Sequence, residues 1–485
     1  MTSHARYLYA AASIGLVLFA TTSRRKKLRL NHPPIINIPA SEILNNPREA
    51  YEKALRERGP VIAVPRRGTL EFLVDETLIP ALYTSDQTLS FEEAMASVLH
   101  LRPFVSMFWG FFREIDDLVQ NGINPRLSNI LERICPVFIR SADTALEHKT
   151  VDMFEHAHTT IAEAMTIVIF GEGYTHERNI KVVIDVATDI AGLTGMYQNS
   201  SFLGRRFPAI WSALMWIKVI CTSVFAFFRI MGPQVWRHVR SRIWVAGEEK
   251  PTNVLEYLCY KYAKNGTVGF MTYLQFMSLL LGIIFASVHQ TASVAVWVVF
   301  ELALRPEYLQ RIREEVHNNV DPVTNDLDPS TVGDAVQNAV WLDSFIREVM
   351  RTKGDTLSTC RRTTADVEFG GCTIPKGNVV SPLVTLAHLN PANHPDPTVF
   401  RPERWHGANA RPAVMSSASY LAFGMGRWAC PGRVLAVSEI KMIVWSIIVK
   451  ATPHLVGNKY KIVDPLNTTS VPPEGELILK PFSFS

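Results

Sequence analysis

Residues 423–432 read F-G-M-G-R-W-A-C-P-G and lead directly into an apolar helical pattern. Glycines at positions 424, 426 and 432 permit backbone conformations and close approaches that a Cβ atom would block. Backbone N–H groups can therefore gather around the sulfur of Cys430, where they would stabilise a thiolate and tune whatever it binds. The stretch is suited to presenting one cysteine sulfur to a metal.

A C-P-G turn taken alone has a simpler reading, because most free cysteines behave as small buried apolar side chains. The full ten-residue pattern followed by a helix favours a different interpretation. A lone thiolate facing a flat cofactor indicates a haem iron with sulfur as its axial ligand, which pushes electron density onto the iron and favours O–O cleavage. We therefore expect Cys430 to bind haem iron.

The same stretch resembles the haem-binding signature of the cytochrome P450 family, whose fungal members commonly read F-G-x-G-R-x-x-C-P-G-R, and Arg433 supplies the last residue. The resemblance implies a mainly α fold with small β-sheets around an iron protoporphyrin. It also implies that Phe423 and Gly426 shape the cysteine loop. Family members usually have arginine or histidine at the position of Trp428, and an indole N–H can still donate one hydrogen bond to a haem propionate.

The composition is that of an ordinary globular protein, with 485 residues, 47% hydrophobic and 19% charged. We find no Gly/Ser linker, low-complexity block or repeat in the body of the chain, so we predict one large catalytic domain over residues 41–485. A net charge of +4 is too small to indicate nucleic acid as a partner. The six cysteines form no C-x-x-C pair and no disulfide-framework spacing, which favours reduced thiols in a cytosol-facing domain.

The N-terminus reads as a membrane anchor. Residues 1–6 form a short tail, residues 7–23 are almost entirely apolar, and residues 24–40 are basic and then proline-rich. The apolar run is shorter than the usual span of about 20 residues, but flanking arginines can snorkel and extend it. A cleaved signal peptide is the alternative, although its basic cluster would precede the apolar run. We predict one uncleaved transmembrane helix in the endoplasmic reticulum membrane, a cytosolic catalytic domain and a stiff linker.

A second apolar run covers residues 207–231 and is broken only by Lys218 and Arg229. A second crossing is disfavoured because an interior lysine is costly in a membrane, and burial in the core is another alternative. We expect the run to dip into the membrane surface, where tryptophan and lysine side chains are well accommodated. The resemblance places access-channel helices here and implies a lipophilic substrate.

Residues 271–303 form one long helical pattern that is apolar nearly all round, as in a helix buried in a large core. Four polar residues interrupt it: Ser287, His289, Gln290 and Thr291. They could simply be hydrogen-bonded within the core, because buried polar groups need partners. Four together favour a water-bearing groove beside a cofactor.

Many fungal family members read A-S-x-H-T-T at this point, whereas residues 286–291 here read A-S-V-H-Q-T. The resemblance implies that His289, Gln290 and Thr291 border the groove where dioxygen is activated. Gln290 replaces the first threonine, and a glutamine can hold a water but cannot relay a proton as a hydroxyl does. Thr291 or an ordered water could substitute for that hydroxyl.

Two further motifs match the family in order. Glu348 and Arg351 are three residues apart on one helical face, a spacing that usually marks a weak surface ion pair. Here the E-x-x-R spacing matches the family's second signature, and F-R-P-E-R-W at residues 400–405 resembles its third. The resemblance implies that Arg404 joins them in a buried network, through bidentate arginine pairs, that fixes the segment presenting the cysteine loop.

Residues 367–380 contain two strand-like runs about a Gly-Gly pair, which predicts a hairpin. In the family an arginine just before this place binds a haem propionate, which implies Arg362 as the first candidate and Arg361 as the second. Trp109 and Arg113 form a W-x-x-x-R pattern that in many relatives gives another propionate contact.

The resemblance implies a monooxygenase that inserts one oxygen atom from O2 into a lipophilic molecule, by hydroxylation or successive oxidation, in fungal terpenoid, alkaloid or polyketide biosynthesis. No flavin- or nicotinamide-binding segment is visible, so electrons would come from NADPH through a partner NADPH–cytochrome P450 reductase. Two alternatives stay open. A haem-thiolate isomerase or dehydratase would need no external electrons and would account for Gln290. A noncatalytic haem-binding or membrane-scaffold protein is the other.

Overall fold

The computed structural model describes residues 32–66, 69–83, 87–105, 110–193, 202–245, 250–407 and 410–484. The predicted tail and anchor, and Trp109 of the W-x-x-x-R pattern, lie outside these residues. The described chain is mainly α-helical with three small β-sheets, as predicted.

The helices along the described chain are α1 Ala40–Asn45, α2 Pro47–Arg58, α3 Ile79–Leu82, α4 Phe91–Val98, α5 Arg102–Val105, α6 Phe111–Asp117, α7 Leu127–Leu146, α8 Met153–Phe170, α9 Glu177–Leu193, α10 Phe202–Arg206, α11 Pro208–Val219, α12 Phe225–Ile230, α13 Gly232–Val239, α14 Val254–Tyr262, α15 Phe270–Ser287, α16 His289–Ala303, α17 Pro306–Val316, α18 Val332–Asn338, α19 Trp341–Thr352, α20 Val384–His388 and α21 Arg433–Ile448. Helix α6 continues into a π-helical turn at Leu118–Ile123, and a second π-helical turn, Ile220–Val224, joins α11 to α12.

The strands are β1 Val61–Arg66, β2 Thr69–Val74, β3 Leu89–Ser90, β4 Arg361–Thr363, β5 Val367–Phe369, β6 Cys372–Ile374, β7 Val379–Pro382, β8 Ala451–Leu455 and β9 Leu477–Pro481. Five of them form a sheet in the order β1-β2-β7-β4-β3, in which β2 and β7 run parallel and the other neighbours antiparallel. Strands β8 and β9 form a separate antiparallel pair.

The predicted hairpin is confirmed as β5 and β6, with Phe369 paired to Cys372 across the turn. Gly370 and Gly371 have φ of +57° and +79°. Two consecutive positive φ angles fit a two-residue hairpin turn, which side chains with a Cβ rarely adopt.

The long central helix is buried, as the sequence predicts, and it packs against α8 and α21. It differs from the prediction in being interrupted at Val288, which separates α15 from α16. The hydroxyl of Ser287 donates to the Ile283 carbonyl at 2.8 Å, while the Val288 amide reaches the Ile284 carbonyl only at 3.3 Å. A serine that bonds back to the preceding turn competes with the backbone ladder and bends a helix. The break therefore lies within the polar island.

The second half of the predicted linker is attached to the folded body. Ile35 bridges to Ala63 of β1, and the Ile36 amide donates to the Ala63 carbonyl at 2.8 Å. Burial of apolar side chains of this segment against the hydrophobic surface of strand β1 stabilises the contact. Ile35 and Ile36 of the predicted linker therefore contact strand β1.

Two described helical segments are long and apolar enough to cross a membrane: Ala209–Val239 and Phe270–Ala303. More than half of the hydrophobic window in the second segment is buried, as expected for the core helix of a globular body. The first is mostly exposed, and it contains residues 209–231 of the apolar run at residues 207–231 that the sequence analysis singles out.

Candidate functional site

The cysteine loop is held by its own backbone. Gly424 and Gly426 have φ of +70° and +73°, which other residues rarely adopt. The Cys430 amide donates to the Phe423 carbonyl at 2.8 Å, so the two ends of the loop are tied together. Arg433, the first residue of α21, donates to the Cys430 carbonyl at 2.7 Å. These contacts fix the position of the sulfur.

Cys430 is an exposed residue, yet burial by surrounding protein atoms raises the pKa of its thiol. The backbone amides of Gly432 and Arg433 and the Arg433 charge act in the opposite direction and lower that pKa. A sulfur with amide donors of this kind fits an axial ligand to haem iron.

A hydrophobic cavity of about 210 Å³ lies between the central helix and the helices α4, α6, α9 and α11. Its walls consist of hydrophobic side chains and one glycine. They are Phe91, Met95, Leu99, Leu101, Phe111, Phe112, Ile115, Ile190, Leu193, Trp216, Val219, Val224, Leu281, Gly282, Phe285 and Ala286. Among the described residues that line the cavity, the Trp216 indole is the one strong side-chain hydrogen-bond donor, and it already donates to the His100 carbonyl at 2.9 Å. The described walls are therefore suited to apolar molecules.

Gly282 decides how closely α6 approaches the central helix. A Cβ atom there would lie 2.5 Å from Cζ of Phe111 and 3.3 Å from its Cε2. The absence of a side chain therefore makes room for the Phe111 ring on the cavity wall.

Phe91 connects the cavity to the cysteine loop. Its ring lines the cavity and stacks on Trp428, with ring centroids 5.1 Å apart and planes at 16°. The guanidinium of Arg361 lies 5.3 Å from the centre of the Phe91 ring and 4.5 Å from that of Tyr83. Arg361 is buried and donates to the Cys360 carbonyl at 3.1 Å. An arginine, an indole and the cysteine loop thus meet at one end of the cavity.

Arg362 points the other way, because successive side chains of a strand lie on opposite faces. Its Nε donates to the Gly377 carbonyl at 2.9 Å and its Nη1 pairs with Glu93 at 3.1 Å. Arg361 therefore lies on the side of Phe91 and Trp428, and Arg362 lies on the side of Glu93. Arg113 is largely exposed and lies 3.6 Å from Glu92.

The structure brings Glu348, Arg351 and Arg404 together in one buried network. Arg351 donates to both carboxylate oxygens of Glu348, at 2.9 and 2.7 Å, and Nε of Arg404 donates to Oε1 at 3.1 Å. The Arg401 amide and the Trp405 indole also donate to this carboxylate, at 2.9 and 3.0 Å. Burial opposes ionisation of Glu348, but these donors and the arginine charges outweigh it and lower its pKa.

The network reaches the cysteine loop through a histidine that the sequence analysis missed. Arg351 donates to the His388 carbonyl at 2.9 Å, and Nε2 of His388 accepts the Leu421 amide at 2.8 Å. Burial lowers the pKa of His388 to about 3, so it stays neutral and can accept. Leu421 lies two residues before Phe423. No local pattern marks His388, because its partners lie more than 30 residues away.

The polar island of the central helix divides between two neighbours. The His289 ring lies 5.4 Å from Phe154 and 5.8 Å from His158, both on α8. Nε2 of Gln290 donates to the Thr469 carbonyl at 3.3 Å, in the loop before β9. Thr291 is buried as well. The side chain of Gln290 is therefore anchored to a neighbouring loop.

That loop is held by Asp355, which lies just after α19. The Asp355 carboxyl accepts the Thr469 and Ser470 amides at 2.6 and 3.1 Å and the Ser470 hydroxyl at 2.6 Å. Burial raises the pKa of Asp355 to about 6, although these bonds act against the shift and Asp464 adds to it. The sequence analysis missed this carboxyl, since no motif contains it.

The chain is similar to known proteins of one family. The family model described as Cytochrome P450 matches residues 117–475. Cytochrome P450 monooxygenase 151 of Postia placenta is 33% identical over 174 residues, which are 34% of this chain and 34% of that protein. Cytochrome P450 monooxygenase paxQ of Penicillium paxilli is 31% identical over 195 residues, or 38% of this chain and 37% of that protein.

The match to Cytochrome P450 10 of Lymnaea stagnalis is longer, at 26% identity over 296 residues, and covers 59% of this chain and 50% of that protein. The chain therefore aligns with between 34% and 50% of the length of the Postia and Lymnaea proteins. Among solved structures, retinoic acid bound cyanobacterial CYP120A1 is similar, with a TM-score of 0.68 and 16% identity over 93% of this chain and 100% of that one. At this identity the likeness shows the fold alone. The family match over most of the chain and the shared fold show that this protein belongs to the cytochrome P450 family.

Proposed function

We propose that this protein is a membrane-bound haem-thiolate monooxygenase that oxidises a lipophilic small molecule. The observation that carries the proposal is the hydrophobic cavity, which shares Phe91 with the surroundings of the cysteine loop. A substrate in that cavity contacts hydrocarbon walls only, so it must itself be largely hydrocarbon on the buried side. Fungal relatives named monooxygenases support secondary metabolism as the setting.

Haem bound through Cys430 would supply the activation of dioxygen by a thiolate-ligated iron. The chain's own residues would do the rest. Arg361 and the indole of Trp428 are the candidates to hold a propionate, with Arg361 preferred to Arg362 because of its burial beside Phe91. The amides of Gly432 and Arg433 would stabilise the sulfur anion.

Membrane attachment is supported by an exposed hydrophobic face on α10 to α12. Ile210, Leu214 and Ile217 on α11 are each about half exposed, and Phe225 on α12 is 59% exposed. Contiguous exposed hydrophobic surface of this kind marks an interaction site. We propose that this face rests in the membrane and that residues 7–23 anchor the chain in the endoplasmic reticulum. Trp216 and Val219 on the inner side of α11 line the cavity, so substrate would reach it from the lipid.

The test of the function is turnover with purified full-length protein, NADPH–cytochrome P450 reductase, NADPH and a panel of apolar terpenoid, alkaloid and polyketide substrates. We expect an oxygen atom from labelled dioxygen in the product, and product only when NADPH is present. Turnover without NADPH would instead indicate the haem-thiolate isomerase or dehydratase. Intact haem without turnover on any substrate would leave a binding or scaffold role.

The ligand assignment has its own test. Cys430→Ala should abolish the shifted Soret band of the ferrous carbon monoxide form, because that band reports an axial thiolate. Cys221→Ala changes an exposed cysteine and serves as the control, in which the band should be retained. The assignment would be contradicted if Cys430→Ala kept the shifted band, or if Cys430→Ala and Cys221→Ala both lost it.

A further inference from the structure

Two buried histidines face each other where α8 packs against α16. His158 and His289 are 4% and 3% exposed, and their rings meet at a centroid distance of 5.8 Å and an angle of 79°. At this separation a ring nitrogen of one histidine reaches the other through a small rotation or one intervening water. His289 belongs to the polar island, directly before Gln290.

His158 also borders an open pocket on its other side. This pocket, about 600 Å³ in volume, lies between α8 and α9, and its lining includes polar side chains that are exposed or half-buried. They include Glu155, Glu163, Glu177 and Lys181. His158 therefore lies between water in this pocket and His289 in the core.

The chemistry of the two rings suits proton transfer. A neutral imidazole has one donor nitrogen and one acceptor nitrogen, so it can take up a proton at one and release a proton from the other. Burial lowers the pKa of both histidines to about 4, and the charge of His289 acts further on His158, so both rings are neutral at pH 7. Within the described chain, Nε2 of His158 has no hydrogen-bond partner. A buried polar atom left unpartnered costs free energy, and this one belongs to a side chain that borders the open pocket.

We propose that His158 is the inner end of a proton path that runs from the pocket between α8 and α9 to His289 and on to the groove beside Gln290. The proposal rests on the monooxygenase function proposed above. Insertion of one oxygen atom consumes one O2, two electrons and two protons, and it releases one water. NADPH supplies the electrons through the reductase. Bulk solvent supplies both protons through the open pocket. After each transfer a ring is left in its other tautomer, and it returns to the first by a ring flip.

This path would also explain how protons reach the groove although Gln290 replaces a threonine. Glutamine cannot relay a proton through its own side chain, and the Gln290 amide is bound to the Thr469 carbonyl. A water held at the amide oxygen would receive the proton from His289. His158 would then be a positioning and relay residue that does not touch substrate.

The test compares His158→Gln with His156→Gln. His156 is two residues earlier on α8, and burial lowers its pKa to about 4 too, but it contacts Ser141 on α7 instead of His289. In His158→Gln we expect product formed per NADPH to fall about tenfold, with the lost electrons recovered as hydrogen peroxide, and a larger solvent deuterium isotope effect. His156→Gln should keep the wild-type values.

Hydrogen peroxide in place of O2 and NADPH separates proton supply from damage to the site, because it brings its own two protons and electrons. Peroxide-driven turnover of His158→Gln should match that of the wild type. If His158→Gln lost as much product formation with hydrogen peroxide as with O2 and NADPH, His158 would have a structural role and the proposal would be overturned.

A measurement without turnover completes the test. Deuterium exchange at the imidazole C2 of His289, followed by mass spectrometry in the purified protein without reductase, should slow at least severalfold in His158→Phe and be unchanged in His156→Gln. Unaltered exchange and unaltered product per NADPH would overturn the path. If the wild type forms no product with NADPH, the proposed function fails, and the exchange rates still decide whether His158 connects His289 to solvent.

Discussion

Two carboxyl groups, seven residues apart, one buried and one half-buried, are treated by this fold in opposite ways. Glu348 on α19 is neutralised by Arg351 and Arg404, and its pKa is lowered. Asp355, just beyond the same helix, is bonded to the Thr469 and Ser470 amides and the Ser470 hydroxyl, and burial raises its pKa to about 6. The first carboxyl holds the segment that leads to the cysteine loop, whereas the second holds the loop that touches Gln290.

The difference teaches that cations, and not the number of hydrogen bonds, decide whether a buried carboxyl keeps its charge. It also gives the two groups opposite effects on stability. Because folding lowers the pKa of Glu348, its ionisation adds to the free energy of unfolding above the pKa of the unfolded chain. That contribution is lost as pH falls. Because folding raises the pKa of Asp355, the protonated carboxyl adds to the free energy of unfolding below the pKa of the unfolded chain. That contribution is lost as pH rises through about 6.

The largest expected effect comes from breaking the charged network. Glu348→Gln leaves Arg351 and Arg404 buried without their carboxylate, which should lower the free energy of unfolding by about 3–5 kcal/mol and release haem. Chemical denaturation and haem content measure both. Glu403→Gln removes an exposed carboxyl that contacts Arg311, and it should change stability by less than about 1 kcal/mol. Similar losses in the two variants would contradict the network's role.

A smaller effect should come from the uncompensated carboxyl. Asp355→Asn should become progressively more stable relative to the wild type as pH rises from about 4 to about 6, and the difference should then be constant. A pKa shift of this size changes the difference in free energy of unfolding between the two proteins by about 3 kcal/mol over this pH range. Unfolding free energies at several pH values provide the measurement, with Glu474→Gln, an exposed position, as control. A pH-independent difference would show that Asp355 is ionised throughout.

The smallest effect concerns Arg361, a buried cation that has carbonyl and ring partners. Arg361→Gln should weaken haem retention by about 1.5–3 kcal/mol, the range for hydrogen bonds to charged groups. Arg362→Gln, on the opposite face of the same strand, should retain haem like the wild type. Haem dissociation rates measured with an acceptor protein compare them. A greater loss in Arg362→Gln would restore the order that the sequence suggested.

The sequence predicted those features whose determining residues lie close together along the chain. The cysteine loop, the Gly370-Gly371 hairpin and the helix at Trp341–Arg351 each carry their signal within a dozen residues. The contact between Glu348 and Arg404 spans 56 residues, and only the resemblance to a family made it predictable.

Other features depend on tertiary packing and left no local signal. A shift of one position along β4 exchanges Arg361 and Arg362 between faces, and sequence alone does not fix that register. His158 and His289 are 131 positions apart and meet only because α8 lies against the central helix. The break at Val288 arises from a competition between a serine hydroxyl and the backbone, which hydrophobic periodicity does not register.

The hydrophobic cavity has a consequence for the products of this protein. A guest that makes no directional bond is free to turn about its long axis, so the contour of the walls alone selects the carbon that reacts. Part of that contour is the Phe111 ring, which lies against Gly282. A change of side chain at either position would reshape the wall and so redirect the oxidation to another carbon.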